Sequence, residues 1–237
     1  MTTDWTVVIP VKRLGAAKSR LRGAVPDARH RELALAMVRD TVTAVLACPD
    51  VAELLVVTDD PEAAAAAAGL GARPVPERAG GGDGSSAPPG GPGAGSDRDP
   101  GLNDAVRHGA DVVAGLGRPR AVLTADLPAL RPGELSGALR AVRDRSFVTD
   151  AAGTGTVLLA APAGTPLDPH FGVESAAAHA RSRAIRLRGD WPGLCQDVDT
   201  AADLRTVLGL GPGSHTRAVL REMGLTADCG SSRLPAA

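Results

Sequence analysis

The sequence contains two lysines, Lys12 and Lys18, which lie six residues apart in the segment VIPVKRLGAAKSRLR. Every other long cationic side chain is an arginine. Lysine is a compact point charge and arginine a planar fork, so a lysine retained in this composition indicates a site that needs a point charge. Contact with a phosphate is the usual reason, and Arg13 and the small residues 15–17 would help to hold an anion. We interpret the segment as a phosphate-binding loop, with chance placement of the two lysines as the alternative.

Three aspartates follow predicted strands or extended segments. In LTADLP, Asp126 comes directly after an apolar run, and in QDVDT, Asp197 and Asp199 are two residues apart. Side chains at i and i+2 of an extended segment point the same way, so these like charges repel unless a cation lies between them. Carboxylate oxygens suit Mg²⁺, and with the lysine loop they could hold it on a nucleoside triphosphate. The alternative is that Asp126 and Asp199 only cap helices.

A fourth polar group combines the segments GTGT, residues 153–156, and FGVES, residues 171–175. Hydroxyls and free amides near the start of a helix can bind an anion without extra positive charge. Glycine-threonine runs are also ordinary turns, so the segments alone leave both interpretations open.

Composition disfavours several other classes of protein. The formal net charge is −1, and the arginines are scattered among carboxylates, which argues against a nucleic-acid-binding face. The three cysteines are far apart and form no C-x-x-C pair, which predicts a reduced, cytoplasmic protein without structural zinc. No apolar run reaches the roughly 18 residues that span a bilayer, and the N-terminal segment lacks the blocks of a signal peptide. We therefore expect a soluble protein with no membrane partner.

Apolar runs and helical periodicity alternate along the chain. The β-branched run over 5–11 and the run over 53–58 predict strands buried on both faces of a parallel sheet. Apolar spacing over 29–46 predicts a helix with one buried side, and the proline at 61 predicts the start of another. Further strands are predicted at 72–75, 120–124, near 147, at 156–160 and near 185, and further helices at 102–113, 132–143, 173–181, 200–208 and 214–223. This order predicts an α/β fold with right-handed crossovers.

Residues 79–100 are rich in glycine, proline and serine and contain almost nothing that could be buried. Such a segment cannot offset the entropy of ordering it, so it predicts a flexible surface loop inside one domain. The segment before it is too short to close a core of its own. We expect a single domain over 1–223 and a disordered tail over 224–237.

Six ordered motifs carry a family resemblance: VIPVKRLGAAKSRL, GLNDAV, LTADLPAL, GTGTVLLAAP, FGVESAAAH and GLCQDVDTAADL. They resemble the guanylyltransferases of deazaflavin coenzyme (coenzyme F420) biosynthesis, which act on 2-phospho-L-lactate or phosphoenolpyruvate and share a fold with the molybdenum-cofactor guanylyltransferases. The resemblance extends from about residue 5 to residue 208. It implies a single-domain, Rossmann-like nucleotidyltransferase of the nucleotide-diphospho-sugar transferase type, with a mostly parallel central sheet.

The resemblance also implies roles for individual residues. It assigns catalytic roles to Lys18 and Asp126. It also assigns four groups of residues that would contact magnesium, the phosphorylated acid, the triphosphate and the nucleoside. These are Asp126, Asp197 and Asp199 for Mg²⁺; Thr156, Gly172 and Ser175 for the acid; Lys12, Arg13 and Lys18 for the triphosphate; and Gly101 with Asn103 near the nucleoside.

The implied reaction transfers GMP from GTP to phosphoenolpyruvate or 2-phospho-L-lactate and releases pyrophosphate. The product of the first acceptor would be enolpyruvyl-2-diphospho-5'-guanosine, handed to a downstream transferase. Phosphoenolpyruvate is favoured because the composition suggests an actinobacterial type of source. Two alternatives remain open: a nucleotidyltransferase of the same fold for a molybdopterin, methylerythritol-phosphate or sugar-1-phosphate acceptor, and a non-catalytic nucleotide-binding subunit.

Overall fold

A computed structural model describes residues 4–14, 21, 25–77, 100–113, 115 and 117–225. Within these residues one sheet contains seven strands: β1 (Trp5–Pro10), β2 (Val51–Val57), β3 (Arg73–Val75), β4 (Arg120–Leu123), β5 (Ser146–Thr149), β6 (Thr156–Ala161) and β7 (Ile185–Arg186). The helices are α1 (His30–Leu46), α2 (Pro61–Leu70), α3 (Pro100–Val112), α4 (Pro132–Ala141), α5 (Ser175–Arg181), α6 (Pro192–Cys195), α7 (Ala201–Leu210) and α8 (Ser214–Glu222). A 3-10 turn, Asp27–Arg29, leads into α1.

The strands lie in the order β3-β2-β1-β4-β6-β5-β7. Pairing is parallel from β3 through β4 and again between β5 and β7, whereas β6 runs antiparallel to both of its neighbours. The predicted α/β fold with a mostly parallel sheet is therefore confirmed. Because β6 alone is reversed, its first residue lies at the edge of the sheet where β1 and β4 end.

Both faces of the central strands are buried. In β1, Val7 and Ile9 pack into the apolar cluster that includes α1, α2 and α4, and Val8 packs into the cluster that includes α3. A strand covered on both faces needs apolar residues at consecutive positions, which is why this segment is a continuous apolar run. A third cluster joins α1 to α7 and α8.

The predicted elements are present with bounds shifted by no more than two residues, and among the described elements the sequence missed the short helix α6 and the 3-10 turn before α1. The predicted surface loop lies outside the described residues except for Pro100, which begins α3. Of the predicted tail, Gly224 and Leu225 are described and the remainder is not.

We expect Gly109→Ala to destabilise the protein, because a Cβ at this position of α3 would lie 2.6 Å from Val8 Cγ1 and 2.8 Å from Val57 Cγ2. Overpacking of this kind lowers the free energy of unfolding by about 2 kcal/mol. This loss exceeds the stabilisation that alanine provides over glycine through its higher helix propensity. Urea unfolding measures the change. The matched control is Gly69→Ala in α2, where the new Cβ meets nothing within 4 Å and should stabilise the protein slightly. Equal unfolding midpoints for the two variants would contradict the packing assigned to α3.

Candidate active site

A cleft opens where β1 and β4 end. The chain leaves β1 towards one side of the sheet, where it forms β2 and β3, and later returns to form β4 on the other side of β1. Ligands of open α/β sheets bind at such a switch point, beyond the carboxyl ends of the strands. The cavity there has a volume of about 290 Å³ and a largely apolar wall. The polar side chains on the wall belong to Lys12, Thr124, Asp126 and Asp199.

The loop after β1 is anchored by a buried carboxylate. Asp60 caps α2 by accepting hydrogen bonds from the main-chain N–H groups of Glu62 and Ala63, and it also accepts one from Leu14 N–H at 3.1 Å. Burial acts to raise the pKa of Asp60, but these three donors and the nearby Arg31 guanidinium lower it below its usual value. The carboxylate therefore stays ionised and holds the main chain at Leu14 close to the start of α2.

Lys12 is exposed and contributes to the cavity wall, and its contact with a triphosphate stays a prediction. Arg13 is also exposed, one residue further along the loop. Burial and Asp59 raise the pKa of Glu77, whereas Lys12 and Arg13 act to lower it, so both cations lie near that carboxyl. Lys18 lies outside the described residues, and its assigned catalytic role stays a prediction.

The turn that carries Asp126 is clamped by a threonine of α1. The buried hydroxyl of Thr41 lies 3.1 Å from the carbonyl oxygen of Ala125 and accepts a hydrogen bond from Leu127 N–H, also at 3.1 Å. The two contacts bracket Asp126 on either side. Asp126 does not cap a helix, because α4 begins later and has Arg131 at its N-cap.

The segment containing Asp197 and Asp199 is joined to the same turn. The N–H of Val198 donates to the carbonyl oxygen of Asp126 at 3.2 Å. Helix α7 is capped by Thr200, whose hydroxyl accepts from Asp203 N–H, so Asp199 is not the cap. Asp126 and Asp199 both contribute to the cavity wall, whereas Asp197 is half-buried and is not among the wall residues.

The donors in this cavity fit a hard divalent cation, because Asp126 and Asp199 bring two carboxylates to one wall. Within the described parts of the chain, no three side chains of histidine, cysteine, aspartate or glutamate are already gathered into a metal site. The set of three carboxylates that includes Asp197 therefore stays a prediction.

The reversed strand β6 brings the predicted acid-binding residues to this edge of the sheet. Thr124 N–H, just after β4, donates to Val157 O at 3.0 Å, and Leu123 pairs with Leu158. Thr156, the first residue of β6, therefore starts beside the end of β4. The preceding segment is an ordinary turn in part, since Asp150 accepts from the main chain at Thr154 and Gly155.

The start of α5 is hydrogen-bonded to the segment before β6, and this brings Gly172 and Ser175 close to Thr156. Ser175 N–H donates to Gly172 O at 3.2 Å, and the N–H of Ala176 donates to Thr154 O at 3.0 Å. Gly172 has a φ of 132°, a conformation that favours glycine over any residue with a side chain. The structure thus brings Thr156, Gly172 and Ser175 together, and their contact with an acid stays a prediction.

Asn103 is bound to the backbone of the segment before Gly172. Its amide nitrogen donates to Phe171 O at 2.9 Å, and its carbonyl oxygen accepts from Phe171 N–H at 2.8 Å. Phe171 in turn contributes to the cavity wall. Asn103 therefore links α3 to the acid-binding region, while Gly101 is exposed in the first turn of α3. Their place near a nucleoside stays a prediction.

Sequence reasoning missed two residues that hold the site, Thr41 and His179. Thr41 reads as an ordinary interior position of α1, and nothing local signals its contact with a turn 84 to 86 residues away. His179 did carry a signal: it lies four residues after Ser175 on a helix, hence on the same face.

We expect Thr41→Val, which keeps the shape and removes the hydroxyl, to leave Leu127 N–H buried without its acceptor. The cost should be about 2 kcal/mol of stability, and turnover should fall about tenfold because Asp126 is no longer held in place. Urea unfolding and steady-state rates measure the two effects. The matched control is Thr43→Val, since this exposed threonine of the same helix bonds only to Arg39 O. If both variants behave alike, the clamp on Asp126 is unimportant.

The fold and the placement of the cleft define the class of protein. The chain superposes on the structure of a Desulfovibrio desulfuricans protein that bears the name nucleotide-diphospho-sugar transferase. The TM-score is 0.65 and the sequence identity 19%, and the superposition covers 94% of this chain and 96% of that one. It superposes on a nucleotidyl transferase from Methanothermobacter with a TM-score of 0.55 and 18% identity, covering 87% of this chain and 97% of that one. The fold is that of the nucleotidyltransferases, as predicted.

Sequence relatives give the family. The chain is 59% identical to the phosphoenolpyruvate guanylyltransferase of Salinispora arenicola, over 90% of this chain and 92% of the relative. It is 50% identical to that of Geodermatophilus obscurus, over 91% and 94%, and 49% identical to that of Streptomyces scabiei, over 91% and 95%. The chain belongs to the phosphoenolpyruvate guanylyltransferase family, which confirms the resemblance and the predicted enzyme class. A scan against protein-family models found no match.

No helix in the described ranges combines the length and apolar character needed to cross a membrane.

Proposed function

We propose that this protein transfers GMP from GTP to phosphoenolpyruvate and releases pyrophosphate, giving enolpyruvyl-2-diphospho-5'-guanosine for coenzyme F420 synthesis. Identity of 49–59% to relatives named phosphoenolpyruvate guanylyltransferase, over about nine-tenths of each chain, carries the proposal. The cleft between β1 and β4 supports it, since Lys12 and the two wall carboxylates suit a triphosphate and a cation.

The reaction needs alignment and charge neutralisation more than a general base. A phosphate ester loses its second proton near pH 6, so the phosphate group of the acceptor is already a dianion at neutral pH. One of its phosphate oxygens attacks the α-phosphorus of GTP, and the bond from that phosphorus to the bridging oxygen of the β-phosphate breaks. Both electrons of that bond leave with pyrophosphate. Because one phosphoanhydride replaces another, the reaction is close to reversible and requires a downstream transferase that consumes the product.

The proposed roles extend the family resemblance. Lys12 and Arg13, together with the predicted Lys18, would offset the charge of the triphosphate. Asp126, Asp197 and Asp199 are the proposed holders of Mg²⁺, which when bound would neutralise phosphate charge as a Lewis acid.

The acceptor would lie at the start of β6, where Thr156 and Ser175 are polar and Gly172 keeps the backbone open. These residues would fix the acceptor's anionic groups so that its phosphate meets the α-phosphorus of GTP. The reduced cysteines, Cys48 and Cys195 in the described region, agree with a cytoplasmic location.

The test is a competition experiment analysed by product mass. The enzyme receives Mg²⁺, GTP and equal amounts of phosphoenolpyruvate, 2-phospho-L-lactate and phosphoglycerate, and parallel reactions replace GTP by ATP, CTP or UTP. We expect the guanylylated enolpyruvyl product to dominate and to require GTP. A preference for 2-phospho-L-lactate would correct the acceptor. Turnover only with a sugar phosphate, methylerythritol phosphate or molybdopterin would overturn the proposal.

A further inference from the structure

A histidine with no part in the chemistry described so far is buried against the acid-binding region. His179 of α5 has no solvent exposure. Its ring packs against Phe147, His170 and Phe171, with centroid distances of 5.8, 5.8 and 5.2 Å, and meets Phe171 edge-on at 76°. A buried imidazole surrounded in this way can use its two nitrogens only on the groups that face them.

Both ring nitrogens have a partner. The Nε2 atom lies 3.0 Å from the main-chain nitrogen of His170, and Nδ1 lies 2.9 Å from the hydroxyl oxygen of Thr156. The first contact decides the tautomer, because a main-chain N–H can only donate. Nε2 must therefore carry a lone pair, and in a neutral imidazole the proton then lies on Nδ1.

The tautomer determines what the Thr156 hydroxyl can do. With the proton on Nδ1, His179 donates to the Thr156 oxygen, and the hydroxyl proton of Thr156 cannot point back at the ring. No acceptor for that proton is found among the residues that the structure describes. Thr156 is thereby left as a hydrogen-bond donor at the start of β6, beside the end of β4.

We propose that His179 is a positioning residue that fixes Thr156 as a donor to an anionic oxygen of the phosphorylated acid acceptor. This rests on the proposed function, since it deepens the acceptor site assigned to Thr156. In the opposite tautomer, the hydroxyl of Thr156 would donate its proton to the ring. The hydroxyl would then present only its oxygen lone pairs to the acceptor, and these repel a carboxylate or a phosphate.

Two substitutions separate the two nitrogens of His179. Asparagine places an amide at the distance of Nδ1 and can still donate to Thr156, whereas glutamine places its amide at the distance of Nε2 and can serve only His170 N–H. We expect His179→Gln to raise KM for phosphoenolpyruvate about 10- to 100-fold, the usual effect of losing a hydrogen bond to a charged group, and His179→Asn to raise it much less. KM for GTP should stay unchanged in both variants.

A double-mutant cycle with Thr156→Val separates this inference from the proposed function. If Thr156 binds the acceptor, Thr156→Val alone raises KM for phosphoenolpyruvate; no effect of that variant would refute the acceptor site itself. If His179 acts through Thr156, adding His179→Gln to Thr156→Val causes no further rise. Additive effects, or equal effects of His179→Gln and His179→Asn, would overturn the positioning role while leaving the acceptor site intact.

A measurement on the unmutated protein keeps the inference testable if a variant fails to fold. Nitrogen-15 NMR of the five histidines reports which ring nitrogen carries the proton. We expect His179 to be protonated on Nδ1 and unprotonated on Nε2, with and without phosphoenolpyruvate. Protonation on Nε2 would overturn the inference directly.

Discussion

Asp126→Asn should reduce kcat/KM about a thousandfold while leaving the unfolding midpoint nearly unchanged. The substitution keeps the side-chain shape and the main-chain hydrogen bond from Val198 to Asp126, and removes the negative charge from the cavity wall. If Asp126 holds the proposed Mg²⁺, losing its charge costs about 4 kcal/mol of transition-state stabilisation, which corresponds to about three factors of ten in rate. Pyrophosphate release at saturating and limiting Mg²⁺ measures the effect.

Companion variants define how many carboxylates share this role. Asp199→Asn should reduce kcat/KM as much as Asp126→Asn does, and it should also raise the Mg²⁺ concentration needed for half-maximal activity. Asp197→Asn should have the same effects if all three aspartates hold the cation. An unchanged Mg²⁺ dependence for Asp197→Asn would reduce the set to the two wall carboxylates. Asp111→Asn is the matched control, because this exposed aspartate of α3 lies away from that wall. Near-normal turnover by Asp126→Asn would remove Asp126 from the mechanism.

The fold was predictable wherever local pattern and tertiary environment agree. β1 and the second half of β2, residues 54–57, are apolar or β-branched runs because both of their faces are buried there. Helix α2 starts at a proline after a capping aspartate. The direction of β6 was not inferred, since an apolar strand has the same composition whichever way it runs. One signal existed: only residues 150–155 separate β5 from β6, and a parallel connection needs a dozen residues or more.

The site was predictable in its parts and not in its assembly. Asp126 and Thr156 stand out because they are polar residues next to the ends of apolar strands, where ligands of α/β sheets bind. Their mutual placement depends on β4 and β6 being antiparallel neighbours, which no local pattern encodes. The contacts of Thr41 and His179 depend on packing between distant segments, so their polar atoms gain a role only once the chain is folded.

The buried histidine gives the protein a pH-dependent stability. Burial is the main cause that lowers the pKa of His179 from 6.5 to about 4, and His170 and Arg145 lower it further. The main chain of Ser175 and the charge of Asp168 oppose the shift. Between these two pKa values the unfolded chain binds a proton that the folded protein excludes, so the unfolding free energy rises with pH. The contribution of His179 is complete above about pH 6.5 and is lost as the pH falls toward 4.

We therefore expect the free energy of unfolding to fall by about 2 kcal/mol between pH 7.5 and pH 5, as measured by urea unfolding at several pH values. His179→Asn provides the control, because it removes the titrating ring while keeping a donor to Thr156; it should flatten the pH dependence in this window even if it lowers stability overall. Asp60 contributes little in this window, because its lowered pKa means that its contribution to stability is lost only at more acidic pH. If the two proteins show the same slope between pH 7.5 and 5, the proton is taken up elsewhere and His179 is not the neutral, buried ring that fixes Thr156.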